Sequence, residues 1–341
     1  MMSRIFKIAA AASAFAATLA ASPAQADSTD LEAAFDRTFG TQVRAPQSFE
    51  ARYDTPFEQQ IAMLADGSDG RIGVYAIDLA TGREIGVLAD QRFPMASTSK
   101  VAVAATYLAE VDRGRLTLTR ELRLPRPGDV YVPAERLIEL MISRSCNDCT
   151  DALLNAVGGP EAVNRWMRQA GIQDFELTRN IRTLIQEDGE IDPASRVDRK
   201  DSATPRAMGQ LLAGIYQGRW LSAPSRSVIL GAMQETTTGK KRMRSALPET
   251  ANLAHKTGTL SRTASDIGIF LTPDGRPIAA AIYVTGQSPS MAVENGSRSE
   301  KLAARARRDA KISSIAYALY DGFGGAETDR RQWADADYGG D

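Results

Sequence analysis

Strand-like sequence occurs in two places in this chain, near its start and near its end, and the stretch between them is patterned for helices. "GRIGVYAIDLATGREIGVLADQRF" (residues 70–93) has two apolar runs flanking the turn-forming "ATGR", the pattern of a β-hairpin. Three more strand-like runs, "NLAHKTGT", "ASDIGIFLT" and "PIAAAIYVTG", follow residue 250, and the turn sequence "PDGRP" separates the last two. Between the two groups, "STSKVAVAATYLAEVDRG", "PAERLIELMISRS", "CTDALLNAV", "GPEAVNRWMRQAG", "TPRAMGQLLAGIYQG" and "APSRSVILGAMQ" carry apolar residues at helical spacing, several of them bounded by Gly or Pro. A last helix, "ARRDAKISSIAYALYDGF", follows the strands. The order strands, helices, strands, helix predicts an α+β fold: an antiparallel sheet built from both chain ends and flanked by helices, with an all-helical domain inserted.

The ends of the chain are expected to lie outside this fold. Residues 1–26 combine a basic start, "MMSRIFK", with a short apolar run and the small-x-small sequence Ala24-Gln25-Ala26. That is the pattern of a cleaved secretory signal, so the mature chain is expected to be exported, to a periplasm. No later apolar run is long enough for a membrane helix, and no membrane anchor is expected in the mature chain. "DLEAAFDRTFG" and "PFEQQIAMLADG" read as leader helices, and residues 324–341 as a polar, disordered tail. The expected fold is then residues 27–323, with an α/β part at 45–96 and 250–323 and a helical part at 97–249. Net charge is −1 over the whole chain and −3 without the signal, which offers no basic surface for nucleic acid. Two cysteines and one histidine argue against a structural zinc, and neither metal nor cofactor is expected. Cys146 and Cys149 form C-x-x-C, read as a local disulfide or as two buried thiols rather than a redox motif.

Chemistry is concentrated in three short motifs. Ser97-x-x-Lys100 sits where extended sequence gives way to a helix, and its spacing puts hydroxyl and amine on one helical face. A serine beside an amine that can take its proton is an activated nucleophile; the alternative for Ser97 alone is a helix N-cap. Ser145-Cys146-Asn147 and Lys256-Thr257-Gly258 follow in that order. Together the three resemble the S-x-x-K, S-D-N and K-T-G motifs of the serine β-lactamase and penicillin-binding superfamily. "RFPMASTSK", "NDCTDALLNAVGGPEAVNRWMRQAG", "DSATP" and "RSALP" resemble segments of class A β-lactamases, so the resemblance extends over residues 45–323.

The resemblance implies a β-lactamase-like fold and an acyl-enzyme formed at Ser97. Lys100 would take the Ser97 proton and Ser145 would relay one to the leaving nitrogen. Asn147 would bind the substrate's side-chain amide, while Lys256 and Thr257 face its carboxylate. Gly258 would let substrate approach the strand, and the N–H groups of Ser97 and Thr259 would form an oxyanion hole. The implied substrate is a small molecule, a β-lactam or a D-alanyl peptide, and the implied enzyme a monomer.

Departures from the family sharpen the reading. Cys146 replaces the Asp of S-D-N. The usual carboxylate-binding cation on the strand after K-T-G aligns with Ser265, which carries no charge, whereas Arg242, just before Arg244 of "RSALP", matches a position some members use instead. Class A enzymes also carry a water-activating Glu two residues after an Arg in their long loop. Aligning "TRNIRTL" through Arg179 and Arg182 puts that Glu on Leu184 and pairs Arg182 with Asp201. Glu187 and Glu190, further along a long charged loop, are the candidate replacements, with solvated loop charges as the plainer reading. The expected activity is β-lactam hydrolysis with slow deacylation. The alternatives are a D-alanyl-D-alanine peptidase-like hydrolase and a penicillin-binding or sensor protein that stays acylated.

Overall fold

The structure, a computed structural model, describes residues 55–67 and 69–325. The expected signal, the first leader helix and the tail from 326 onward lie outside these residues. Thr55 opens α1 (Pro56–Leu64) with a capping box: its hydroxyl accepts the Glu58 N–H and the Glu58 carboxylate accepts the Thr55 N–H. The hairpin is β1 (Ile72–Asp78) and β2 (Glu84–Val87). β3 (Phe93–Pro94) then leads through a 3-10 turn at Ala96–Ser99 into α2 (Lys100–Asp112). A small ribbon, β4 (Glu121–Arg123) with β5 (Tyr131–Pro133), precedes α3 (Ala134–Ser143), α4 (Asn147–Val157) and α5 (Pro160–Gln169).

The long charged stretch is not structureless. It is framed by β6 (Phe175–Glu176) and β7 (Ser202–Ala203), which pair with each other, and β7 also pairs with β3. It contains one short helix, α6 (Ile181–Gln186). After it come α7 (Pro205–Gln217), α8 (Ala223–Gln234) and α9 (Met243–Ala246). The chain returns to strands in β8 (Ala254–Leu260), β9 (Thr263–Leu271) and β10 (Pro277–Thr285), then closes with α10 (Met291–Gly296) and α11 (Arg298–Gly325). The last helix runs two residues into the stretch expected as tail.

The five long strands form one antiparallel sheet in the order β2-β1-β10-β9-β8. The join between the chain ends is the β1–β10 pair, in register from Ile72 opposite Val284 to Asp78 opposite Ile278. Period-two alternation sends β10 into two cores. Ile278, Ala280, Ile282 and Val284 pack with Ile312, Ile315 and Leu319 of α11, whereas Ala279, Ala281 and Tyr283 join the core shared with the helices.

The first nine residues of α2 are buried, and so is the tenth. A helix buried all round belongs in the interior rather than on a surface, and the small alanines of "KVAVAATYLA" let its neighbours approach closely. The consequence for function is that Lys100, the first residue of this helix, is also buried. Among the described residues no helix is long and apolar enough to cross a membrane.

Candidate active site

Ser97 lies in the 3-10 turn that joins β3 to α2 and is half-buried. It is not a helix N-cap: α2 starts after Ser99, and the hydroxyl that folds back on the turn is that of Ser99, donating to Ala96 O at 2.8 Å. Ala96, immediately before the serine, has φ +49°, a left-handed conformation that costs an alanine free energy and persists only where its surroundings fix it. They do so here. The Thr98 hydroxyl donates to Met95 O at 2.7 Å and shares a 2.9 Å bond with the Tyr283 hydroxyl, and Met95 N–H donates to Asp201 O at 3.0 Å.

The second motif occupies the bend between α3 and α4, where Ser145 has φ +58°. Its hydroxyl lies between the two motif lysines, 3.1 Å from Lys100 Nζ and 3.1 Å from Lys256 Nζ. Lys100 Nζ also donates to Ser145 O at 2.8 Å and to Asn147 Oδ1 at 2.7 Å, while Lys256 Nζ donates to Thr257 O at 2.8 Å. Both ammonium groups are fully buried. Burial, then the nearby charge of Lys256, pushes the Lys100 amine well below the ordinary lysine range, against an opposing pull from Asp151. Burial likewise lowers Lys256 to about 7, with Asp266 pulling it up and Arg242 pushing it down. A lysine whose burial disfavours its protonated form becomes free to accept a proton from a neighbouring hydroxyl at a lower pH than an ordinary lysine would.

Cys146 and Cys149 form a disulfide inside this second motif, so of the two readings of C-x-x-C the cross-link holds. Cys146 is also the N-cap of α4, its sulfur accepting the Cys149 N–H at 3.1 Å. The bridge therefore fixes the residue between Ser145 and Asn147, where the family pattern has an Asp.

β8 is an edge strand, packed against the 3-10 turn. His255 O accepts from Thr236 and Thr257 O from Lys256, so the odd-numbered residues turn their peptide groups off the sheet edge. That alternation also directs the N–H of exposed Thr259 outward, on the side of the serine turn. The Thr257 hydroxyl shares a 2.6 Å bond with Thr238. Gly258 has a packing role: a Cβ there would come 2.4 Å from Ser265 Oγ and 2.8 Å from Met95 O. The missing side chain lets the strand close on the turn carrying Ser97.

Arg242 is buried behind β8. It donates to Gly258 O and Ser265 O at 2.8 and 2.9 Å, to Thr259 Oγ1 at 2.8 Å, and pairs with Asp309 at 2.6 Å. Its charge thus reaches the site through Thr259 and close to Lys256.

The loop clamp differs from the expected one. Arg179, not Arg182, pairs with Asp201, at 2.5 Å. Arg182, the second residue of α6, turns outward and donates to Pro125 O. The residue two beyond the clamping arginine is therefore Ile181, and the expected equivalence of Leu184 with the family's Glu shifts to Ile181. Both side chains are apolar and buried. Glu187 is held by Arg179, and exposed Glu190 lines a cavity between the loop and Leu260–Thr263. Neither donates to or accepts from the lysine–Ser145 cluster. Sequence reasoning passed over Asp151, which accepts the Ile181 N–H at 2.7 Å and the Arg182 N–H at 3.2 Å from across the site. Its position one helical turn beyond Asn147 was the available signal. Asp309 and Thr238 carried no such signal, because both reach the site only through the tertiary fold.

Comparison with known proteins places this geometry. The profile of a family described as "Beta-lactamase enzyme family" matches residues 56–323. The chain is 29% identical over 266 residues to the extended-spectrum β-lactamase PER-1 of Pseudomonas aeruginosa, covering 71% of this chain and 84% of that protein. It is 31% identical over 264 residues to β-lactamase CTX-M-4 of Salmonella typhimurium, covering 73% and 87%. Among solved structures it resembles the reconstructed class A β-lactamase of the last common ancestor of Gram-negative bacteria, with a TM-score of 0.67 at 32% identity, covering 79% of this chain and all of that one.

Proposed function

The chain belongs to the β-lactamase enzyme family and is a serine β-lactamase-type enzyme, and from that premise we propose that it opens β-lactams through an acyl-enzyme at Ser97 that deacylates slowly. Ser97 Oγ attacks the lactam carbonyl carbon as its proton passes to Lys100 Nζ. The N–H groups of Ser97 and Thr259 hold the oxyanion that forms. When the intermediate collapses and the C–N bond breaks, the leaving nitrogen takes the Ser145 hydroxyl proton, which the protonated lysine restores. Lys256, Thr257 and the charge of Arg242 bind the substrate carboxylate, and Asn147, with its Oδ1 held by Lys100, keeps its amide N–H groups for the substrate side chain.

The observation that carries this reading is the Ser145 hydroxyl set 3.1 Å from each of two buried lysines, Lys100 at the start of α2 and Lys256 on β8. Ile181 and Leu184 support the slow second step, because neither can accept a proton from water or orient one. The same observation favours a second reading, a penicillin-binding protein that stays acylated. Export to a periplasm forms part of the proposal; the signal-like residues 1–26 support it, and so does a disulfide, which persists in oxidising compartments.

The test is a quench-and-weigh time course. Protein mixed with excess penicillin should carry one acyl group per chain while product accumulates, and Ser97→Ala should carry none. Free enzyme during fast turnover would refute slow deacylation. Absence of any adduct would refute the acyl-enzyme. An adduct with no product would leave the second reading in its place.

A further inference from the structure

Asp151 is buried on α4, four residues after Asn147 and so on the same face of the helix. Asn147 is the residue whose Oδ1 holds Lys100 Nζ at 2.7 Å, and α4 packs against α2, which begins with Lys100. From the other side, the Asp151 carboxylate accepts the N–H groups of Ile181 and Arg182. Ile181 stands two residues beyond the clamping Arg179, where the family pattern places a glutamate. The helix thus sets a carboxylate against the backbone of that position, whose own side chain is apolar.

We propose that Asp151 is a positioning residue with two jobs: it docks the loop through the Ile181 and Arg182 N–H groups, and it supplies the buried negative charge facing Lys100 that no loop glutamate supplies. The inference rests on the acylation chemistry proposed above only for its kinetic readout. The charges around Lys100 are few. Lys256 faces it from β8 and disfavours its protonation, and Asp151 faces it from α4 and favours it. Ser145 and Asn147, its hydrogen-bond partners, are neutral, and the first turn of α2 contributes no acidic residue. Arg182 acts on Asp151 from α6. Asp151 is itself held above the ordinary aspartate range, first by burial, and the two N–H groups, Arg182 and Lys100 oppose that rise. Removing the Asp151 charge should therefore let the Lys100 ammonium lose a proton at lower pH.

The experiment compares wild type, Asp151→Asn, Asp151→Glu and Ile181→Pro. Ile181→Pro deletes an N–H that Asp151 accepts and leaves the charge; proline is tolerated at the first position of a helix, and Asn180 before it has the extended backbone (φ −72°, ψ 166°) that a following proline requires. Two pH titrations are recorded. One is the 13Cε shift of Lys100 in the free protein, assigned with Lys100→Ala, and the other is single-turnover acylation by penicillin. Asp151→Asn should move the Lys100 titration and the acid limb of acylation to lower pH. Asp151→Glu and Ile181→Pro should leave the limb in place and lower only the plateau. A Lys100 titration unmoved in Asp151→Asn, or moved equally in Ile181→Pro, would overturn the electrostatic role. If Asp151→Asn does not fold, a limb displaced in Asp151→Glu would overturn it as well. Should wild type form no adduct while the Lys100 titration shifts as stated, the acyl-enzyme reading falls and the assignment of Asp151 stands.

Discussion

Asp201→Asn should separate the loop clamp from the rest of the site. The Asp201 carboxylate is buried. One oxygen accepts Thr178 N–H at 2.8 Å and Arg179 N–H at 3.1 Å, and the other accepts Thr178 Oγ1–H at 3.1 Å and Arg179 Nε–H at 2.5 Å. Asparagine keeps the first oxygen. It also tolerates the φ of +48° found here, so the backbone need not move, and Asp201 O can still accept the Met95 N–H. What changes is the second oxygen, which becomes an NH2 facing two donors. Breaking a buried ion pair by neutralising one partner costs about 3–5 kcal/mol. The lower end applies, because Arg179 keeps Glu187 as a partner. A loss of about 3 kcal/mol corresponds to roughly 5 °C in Tm, at about 2.1 cal/mol/K of unfolding entropy per residue over a fold of this length. Urea unfolding in parallel with amide exchange of Thr178 and Arg179 measures it. A loss below about 1 kcal/mol would show that the Arg179–Asp201 ion pair does not hold the loop.

Reducing the Cys146–Cys149 bridge, or replacing both residues with serine, should cost about 2 kcal/mol, as expected for closure of so short a loop, and should slow acylation by releasing Ser145. Lost acylation at unchanged stability would contradict a purely structural role. Lys256, lowered to about 7, should bind the substrate carboxylate progressively less well as pH rises through that value, seen as a rising KM for a carboxylate-bearing β-lactam. The linkage has a definite sign: between about 7 and 10.5 the unfolded chain holds the Lys256 proton and the folded one does not, so this residue's penalty on stability is complete below that window and relieved as pH rises across it. Chemical denaturation of wild type and Lys256→Met across that range should converge towards high pH. Arg242→Ala should lower kcat/KM about ten- to a hundredfold through loss of a charge-assisted contact, and an unchanged value would assign the carboxylate to another residue. Glu187→Gln and Glu190→Gln should leave the deacylation rate within about twofold; a fall of the size general-base catalysis supplies, about 10² to 10⁴, would identify the displaced base.

The sheet was legible because its strands are short apolar runs bounded by turn sequences, and a strand that buries both faces, such as β10, still divides its residues between two cores by position. The three motifs were legible for a related reason: each is a contiguous stretch whose backbone conformation sets its chemistry locally. The loop was not. "TRNIRTL" contains two arginines three residues apart, and sequence spacing cannot decide which of them turns back towards Asp201. The structure decides it through the start of α6. Asn180 caps that helix, its side-chain oxygen accepting the Thr183 N–H, so Arg179 precedes the helix and points along the incoming chain, while Arg182 is carried round to the outside. One wrong partner moved the expected glutamate position by three residues, from Ile181 to Leu184.

That shift changes what the site is missing. With the glutamate position on Leu184, the loop simply lacks a base, and a replacement is sought further along it, at Glu187 or Glu190. With the position on Ile181, the nearest carboxylate is Asp151, already bonded to the Ile181 peptide and buried on the helix that presents Asn147 to Lys100. A carboxylate there has both oxygens engaged by backbone N–H groups, an arrangement that can bias a neighbouring lysine but leaves little freedom to accept a proton from water. Among the described residues, the site therefore offers charge balance for the proposed first step and no free carboxylate bonded to it for the second, which is the physical basis for expecting acylation to outrun hydrolysis.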